Sequence, residues 1–292
     1  MKLPTIAICY DFDSTLSPNE MQSYGYFRDL QTNSSDFWGR SDIMVKELNA
    51  DRILVNMYRM VNEALAKGID LTRDKLREYG ATVELFDGVE TWFDRINEFG
   101  KSIGVQVEHY IVSSGDKEMI LGMPIAKYFK KIYACTYIYD QDGKVIWPAI
   151  SVNYTNKTQF LYRINKGCLD ESDDSINDIM DKDSRNVPFE NMIYIGDSFT
   201  DIPCMRLVMN NGGKAIGVYN PKSKNDSKVK NLLNNNKINF IAPADYSKGK
   251  MLDVLVKEII RSMKIDHNLK TLSKAQKWFV WPWIILLDLI KR

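Results

Sequence analysis

The chain has 292 residues, a length that allows about two domains or one domain with a large insertion. Hydrophobic residues make up 45% and charged residues 26%, the proportions of a globular protein with a substantial core, and a formal net charge of +1 gives no global pull toward nucleic acid or an acidic partner. Cys9, Cys135, Cys168 and Cys204 are scattered without a Cys-x-x-Cys pair, which argues for reduced thiols in a cytoplasm and against a disulfide framework or a zinc site.

The amino terminus reads Met1-Lys2-Leu3-Pro4 and then a short strand, not the long apolar stretch of a secretory signal. Residues 5 to 10 predict that strand, because a brief apolar run ends in a polar turn. From about residue 19 to 87 no strand is predicted. "SDIMVKELNADRILVNMYRMVNEALAKG" sets apolar residues at helical spacing, with Ser41 or Asp42 as N-cap and Gly68 as stop, and reads as a helical insertion. "DGVETWFDRINEFGKSIG" is a further amphipathic helix leading into the strand "VEHYIVSSGD". Lys127, Lys130 and Lys131 read as a solvated face. The β-rich runs on either side of Asp142-Gly143 predict a hairpin. "TNKTQFLYRINKG" is a helix capped by Thr155 or Asn156 and closed by Gly167. The acidic stretch that follows is a solvated loop or short helix. "NMIYIGDSFTDIPCMRLV" is strand, polar turn and helix again, and "KAIGVYN" and "NFIAPADYS" are two more strands.

Strands alternating with helices predict a parallel α/β sheet, and in such sheets ligands sit outside the carboxyl ends of the strands. Three predicted strands end in chemically notable residues: Asp11-x-Asp13, Ser113-Ser114 and Gly196-Asp197. Two carboxylates that close to a buried strand repel each other and are costly unless paired or bound to a cation. Asp11, Asp13, Asp197 and Asp201 are all oxygen donors, the set a hard ion such as Mg²⁺ takes. An ionised Asp can attack phosphorus. A second carboxyl can protonate the leaving oxygen and later deprotonate water. Charge that builds on a phosphoryl group calls for a hydroxyl and an ammonium nearby, and Ser113 and Lys157 are the candidates. Ser114 competes with Ser113, and Lys166 with Lys157, although Lys166 lies near the predicted end of its helix. With only His109 and His267 in the chain, mechanisms built on several histidines are disfavoured.

"DFDSTL", "IVSS", "NKTQF" and "IGDSFTDIP", in that order, resemble the four motifs of the haloacid dehalogenase-like (HAD) superfamily of hydrolases. The first motif falls on Asp11, Asp13 and Thr15, the second on Ser113, the third on Lys157, and the fourth on Gly196, Asp197 and Asp201. The resemblance implies a Rossmann-like core at residues 1–16 and 91–262, with a helical cap at 17–90. It implies Asp11 as nucleophile and Asp13 as general acid and base. Mg²⁺ would be held by the Asp11 side chain, the Asp13 backbone carbonyl and Asp197. Ser113 (or Ser114) and Lys157 would bind the phosphoryl oxygens, with Asp201, Thr15 and Gly196 in support. Members that displace halide lack the second Asp of the first motif, so Asp13 points to a phosphatase, and a cap that closes over the leaving group and excludes water points to a small phosphomonoester. A weaker resemblance links the chain to the phosphoserine-phosphatase-like branch.

Residues 263–292 form an apolar and aromatic tail. Trp278 to Leu287 is a run of ten, short of the ~20 residues needed to span a bilayer. The tail reads as a segment docking on the core or on a second subunit, or as an interfacial anchor with tryptophans at headgroup level and basic ends. Pro282 would kink or start a helix there. "NPKSKNDSKVKNLLNNNK" lacks aromatic interleaving and reads as solvated surface, not a nucleic-acid patch. Beside the cytoplasmic phosphatase stand two alternatives: a catalytically silent binding or regulatory protein, and a membrane-surface phosphatase held by the tail.

Overall fold

In the computed structural model, which describes residues 3–181, 184–223 and 226–290, seven strands form one sheet. They are β1 (Thr5–Tyr10), β2 (Gln106–Asp116), β3 (Phe129–Tyr139), β4 (Val145–Ile150), β5 (Met192–Gly196), β6 (Lys214–Tyr219) and β7 (Phe240–Pro243). Their order across the sheet is β4-β3-β2-β1-β5-β6-β7. All neighbours pair in parallel except β3 and β4, which form an antiparallel hairpin over Asp142-Gly143. Asp140 Oδ1 closes that turn by accepting from the N–H groups of Asp142 and Lys144, and Gly143 supplies φ +77°.

Every residue of β1, and every residue of β5, is buried, as expected of strands covered on both faces. From β1 the chain builds outward through β2 and β3, then returns to the other side of β1 to lay down β5, β6 and β7. The β1/β5 boundary is therefore a switch point in strand order, and its carboxyl edge is where this architecture opens a crevice.

Ten helices accompany the sheet among the described residues. Between β1 and β2 run α1 (Gly25–Leu30), α2 (Ser34–Leu48), α3 (Arg52–Ala66), α4 (Arg73–Gly80) and α5 (Val89–Ser102). They are followed by α6 (Lys117–Leu121), α7 (Lys157–Lys166), α8 (Ile202–Asn210), α9 (Ser227–Asn234) and α10 (Met251–Ile290). The helical insertion is present, but its caps differ from those expected. α2 begins at Ser34, where Asn33 Oδ1 accepts from Asp36 N–H, so Ser41 lies inside the helix and is buried, and Asp42 lies inside it too. Asn49 takes a left-handed conformation that ends α2, and Asp51 caps α3 by accepting from Leu54 N–H. Asn33 and Asp51 are the short polar residues that satisfy orphan amides best. Gly68 follows the end of α3 with φ +71°. Asn156 occupies the N-cap position of α7 without capping it; its Oδ1 accepts from Asn153 N–H instead. Lys130 and Lys131 are not merely solvated: the first pairs with Glu108 at 2.6 Å, the second with Glu171 at 2.8 Å and Asp170 at 3.0 Å.

The insertion is fastened to the rest of the protein at three places. α4 crosses α6 so closely that a Cβ on Gly80 would overlap the Met119 carbonyl, and one on Gly122 would overlap the Arg77 carbonyl. Arg77 reinforces the crossing by donating to Glu118 at 2.9 Å. The strand-like segment before α4 pairs with the hairpin turn: Arg73 N–H donates to the Gly143 carbonyl and Val145 N–H to the Leu71 carbonyl. Near the start of α3, Asn153 donates to Asp51 at 2.8 Å, and Tyr137 donates to the Met57 carbonyl at 3.3 Å.

His109 on β2 is buried between Tyr10, Asn97 and the Phe93 ring. Burial pushes its pKa down from 6.5 to about 3, so the unfolded chain binds that proton first. The stability this group contributes is complete above pH ~6.5 and is lost as the pH falls toward ~3. By pH ~3.5 the loss is on the order of 4 kcal/mol. Urea unfolding across this range should show the acid limb flattened in His109→Gln; an unchanged slope would remove His109 from the account.

α10 continues helical backbone to Ile290 through the position of Pro282, while the side chains of residues 277–290, with Trp278 and the rest of the apolar run, lie outside the described residues. Among the described residues no helix is long and apolar enough to cross a membrane.

Candidate active site

β1 delivers Asp11 to the carboxyl edge, where its own N–H still pairs with the Ile195 carbonyl of β5. The chain then turns sharply around Phe12, whose carbonyl accepts from the N–H groups of Thr15, Leu16 and Ser17, with Ser14 at φ +57°. Asp11 is buried, and its Oδ1 accepts from Phe12 N–H at 2.8 Å. Asp13 leaves the same turn with its Oδ1 accepting from Met21 N–H at 2.9 Å. Tyr246 holds the turn from below by donating to the Thr15 carbonyl.

On one side, β2 places Ser113 at the same edge. Ser113 is buried and its Oγ accepts from Gly115 N–H at 3.1 Å, which leaves the O–H to donate. Ser114 is only half-buried, and its carbonyl accepts from Cys135 Sγ. Gly115 has no room for a Cβ because the Met21 methyl occupies the space. On the other side, β5 ends in Gly196, where a Cβ would come within 2.6 Å of Asp201 Oδ2. The glycine lets the next turn fold back so that Asp201 points under the strand end. Asp201 Oδ2 accepts from Ser198 N–H at 3.3 Å and Ser198 Oγ at 3.2 Å.

Lys157, the first residue of α7, reaches into this group and is fully buried. Its Nζ lies 2.8 Å from Asp201 Oδ1 and 3.2 Å from Asp11 Oδ1. Tyr194 donates to the same Asp201 oxygen at 2.8 Å. Burial alone would push the Lys157 pKa down, but the charges of Asp11 and Asp201 outweigh it and raise it, so the ammonium is retained. Lys166, the competing lysine, lies at the far end of α7 and donates to the carbonyls of Ile176 and Asp178.

The carboxyls feel one another strongly. Burial, then the charge of Asp201, raises the Asp11 pKa to about 6, with Lys157 and Phe12 N–H pulling the other way. Burial, then Asp11, raises Asp13 to about 8 against the opposing pull of Met21 N–H. Burial, then Asp201 and Asp11, raises the half-buried Asp197 well above the ordinary carboxylate range. Oxygens of Asp11, Asp197 and Asp201 lie within 4.8 Å of one another. An all-oxygen, mutually repelling set of this kind fits a hard divalent cation, and one Lys157 ammonium leaves negative charge for a cation to offset.

The structure thus brings together Asp11, Asp197, Asp201 and Lys157 directly, with Asp13 on the turn after β1, Ser113 at the end of β2, and Gly196 making room for Asp201. Thr15 is buried in the turn and its Oγ1 has no hydrogen-bond partner among the described residues. Asp13 contributes no carboxylate oxygen to the cation-sized cluster, while Asp201, expected in support, does. Two contributors escaped the sequence reading. Tyr194 looks like another core residue of β5. Met21 bonds Asp13, fills the space at Gly115 and accepts from Asp116 N–H through sulfur at 3.2 Å, which no local pattern marks.

The sheet order and the helical insertion after β1 give a fold shared with solved HAD family hydrolases and phosphoserine phosphatases. A phosphoserine phosphatase solved as a phospho-aspartyl intermediate analogue aligns over 87% of this chain and 99% of its own, at TM-score 0.52 and 16% identity. A probable phosphoserine phosphatase from Vibrio cholerae aligns over 92% of this chain and 69% of its own, at TM-score 0.53 and 13% identity. A HAD family hydrolase from Salmonella enterica serovar Typhi aligns over 75% of this chain and 65% of its own, at TM-score 0.51 and 19% identity. Within this fold the chain belongs to the family of an uncharacterized Borreliella burgdorferi protein, 32% identical over 273 residues, covering 85% of this chain and 93% of that one. No model of a known protein family matches the sequence.

Proposed function

We propose that the chain is a Mg²⁺-dependent phosphohydrolase that cleaves a small phosphomonoester through an aspartyl-phosphate on Asp11. The observation that carries this reading is Asp11 at the end of β1 with the Lys157 ammonium 3.2 Å from its Oδ1, inside a cluster of carboxylates that a divalent cation would complete. Asp11 and Asp197, with the Asp13 backbone carbonyl, are the groups that would hold Mg²⁺. Asp201 is engaged by Lys157 and Tyr194 through Oδ1 and supports the site by fixing the lysine. The bound cation would offset negative charge on the carboxylates and the phosphoryl group.

In the first step an Asp11 oxygen attacks phosphorus, the ester P–O bond breaks, and Asp13 gives its proton to the departing alkoxide. In the second, Asp13 takes a proton from water as the water oxygen attacks phosphorus, releasing orthophosphate and the free Asp11 carboxylate. The Ser113 hydroxyl and Lys157 ammonium bind phosphoryl oxygens as charge builds on them. The helical insertion between β1 and β2 would act as the cap that encloses a small leaving group and excludes water. The fold neighbours named phosphoserine phosphatase make phosphoserine the first compound to try in a substrate panel.

The test is hydrolysis of p-nitrophenyl phosphate, expected with Mg²⁺ and lost on chelation. In Asp13→Asn, nitrophenolate, a good leaving group, should still depart in a burst near one equivalent. Steady-state turnover should then drop by about 10²–10³-fold as phosphoenzyme accumulates. Wild-type turnover in the variant would remove Asp13 from proton transfer.

A further inference from the structure

α10 does two different things along its length. Its first part lies against the body: Leu252, Val256, Ile259, Ile260 and Met263 are buried at helical spacing. Asp253 pairs with Arg95 of α5, and Lys257 and Arg261 lie over the Phe99 ring one turn farther along α5. α10 therefore runs alongside α5, away from the carboxyl edge and toward the amino edge of the sheet. It arrives there at Lys264, which reaches Gly104 just before β2, and at Lys270, which pairs with Glu190 just before β5.

Beyond Met263, among the described side chains, the helix keeps only polar contacts with the body, through Lys264 and Lys270, and its apolar side chains turn to solvent. Ile265, Leu269 and Leu272 are 58%, 58% and 60% exposed, and their i, i+4, i+7 spacing makes them one apolar stripe. Residues 264–290 amount to about 40 Å of helix, and an isolated helix of that kind is marginal in water unless its apolar face is covered. The same stretch carries Lys264, Lys270, Lys274 and Lys277 against two acids, Asp266 and Asp288, with three tryptophans at 278, 281 and 283, and Lys291-Arg292 follow it in sequence. Burial, then the charges of Lys264, Lys270 and Lys274, holds the His267 pKa below its usual value, a second sign of positive potential here. A second copy packed on this stripe would bring the same lysines against each other. An anionic lipid surface would not.

We infer that the arm of α10 beyond Met263 docks the protein on an anionic membrane surface, at the pole opposite the carboxyl edge that holds Asp11. The orientation rests on the catalytic reading of that edge; the docking does not. With the arm on the lipid, the site faces solution, so the ester it takes is a soluble one and not a phosphate held in the same bilayer.

Full-length protein should cosediment with vesicles containing phosphatidylglycerol, weakly or not at all with pure phosphatidylcholine, and less as salt is raised. Lys274→Glu with Lys277→Glu should weaken binding at least about tenfold, and Leu269→Asp with Leu272→Asp should abolish it, both without a change in melting temperature. Turnover of soluble p-nitrophenyl phosphate should be the same with and without saturating vesicles. Absence of binding to phosphatidylglycerol, or binding unchanged in both variants, overturns the docking. Dimerisation abolished by Leu269→Asp, without vesicle binding, reassigns the stripe to self-association and overturns it equally. A protein that binds vesicles but hydrolyses nothing sinks the phosphatase reading and leaves the docking standing.

Discussion

Asp11→Asn should lower Mg²⁺-dependent phosphatase turnover by about 10⁴-fold or more, the scale on which loss of a covalent nucleophile acts, and leave the protein folded. Asparagine has the shape of aspartate and keeps an oxygen for Phe12 N–H, but it cannot form the acyl phosphate. The fold should tolerate the change because Lys157 retains Asp201 at 2.8 Å. Burial and Asp201 already work against a charge on Asp11, as its raised pKa of about 6 records, so a neutral group there removes a cost at neutral pH. Steady-state kinetics beside a thermal melt would read both halves. Full activity in the variant would refute the nucleophile assignment, whereas lost activity with a collapsed melt would place Asp11 in folding instead.

Gly80→Ala and Gly39→Ala should change stability in opposite directions, although both glycines lie in helices of the insertion. On propensity alone each alanine gains about 1 kcal/mol. Gly39 on α2 is exposed with nothing within 4 Å of an added Cβ, so it should realise that gain. At Gly80 the methyl meets the Met119 carbonyl, which belongs to the backbone of α6 and cannot rotate away. Overpacking of this kind costs about 3 kcal/mol or more, enough to reverse the sign. Urea denaturation of the two variants decides the matter, and stabilisation by Gly80→Ala would show that the α4–α6 crossing is looser than described.

The three strand ends that meet at the site were legible because each is a local event: a short apolar run, a small or acidic residue, then a helix start. Their meeting follows from parallel pairing, which puts every carboxyl end on one edge. What joins them was less legible. Lys157 and Asp201 are far apart in sequence, and their contact depends on α7 and on the fold-back that Gly196 permits. Asp201 was legible as one of four oxygen donors for a cation, but not as one that shares its Oδ1 with both Lys157 and Tyr194. Tyr194 and Met21 carry no pattern of their own, since a buried tyrosine and a methionine at a loop end are common in any core. The insertion was visible from its helical spacing, yet its caps were misplaced, because Ser41 and Asp42 are good capping residues that happen to fall inside a continuing helix. α10 was visible only at its far end, where apolar composition obscured the amphipathic stretch that docks its start.

The crossing of Gly80 on Met119 and Gly122 on Arg77 has a consequence for protein engineering. The insertion looks modular along the chain, as though residues between β1 and α5 could be exchanged with those of a relative to change substrate preference. Its seat, however, is shaped by α6 and by the β3–β4 turn, which are encoded well downstream. A chimaera that carries only the contiguous segment would set a foreign α4 against glycine-sized clearances made for another helix. The transplantable unit is discontinuous: the insertion, α6 and the hairpin turn must travel together.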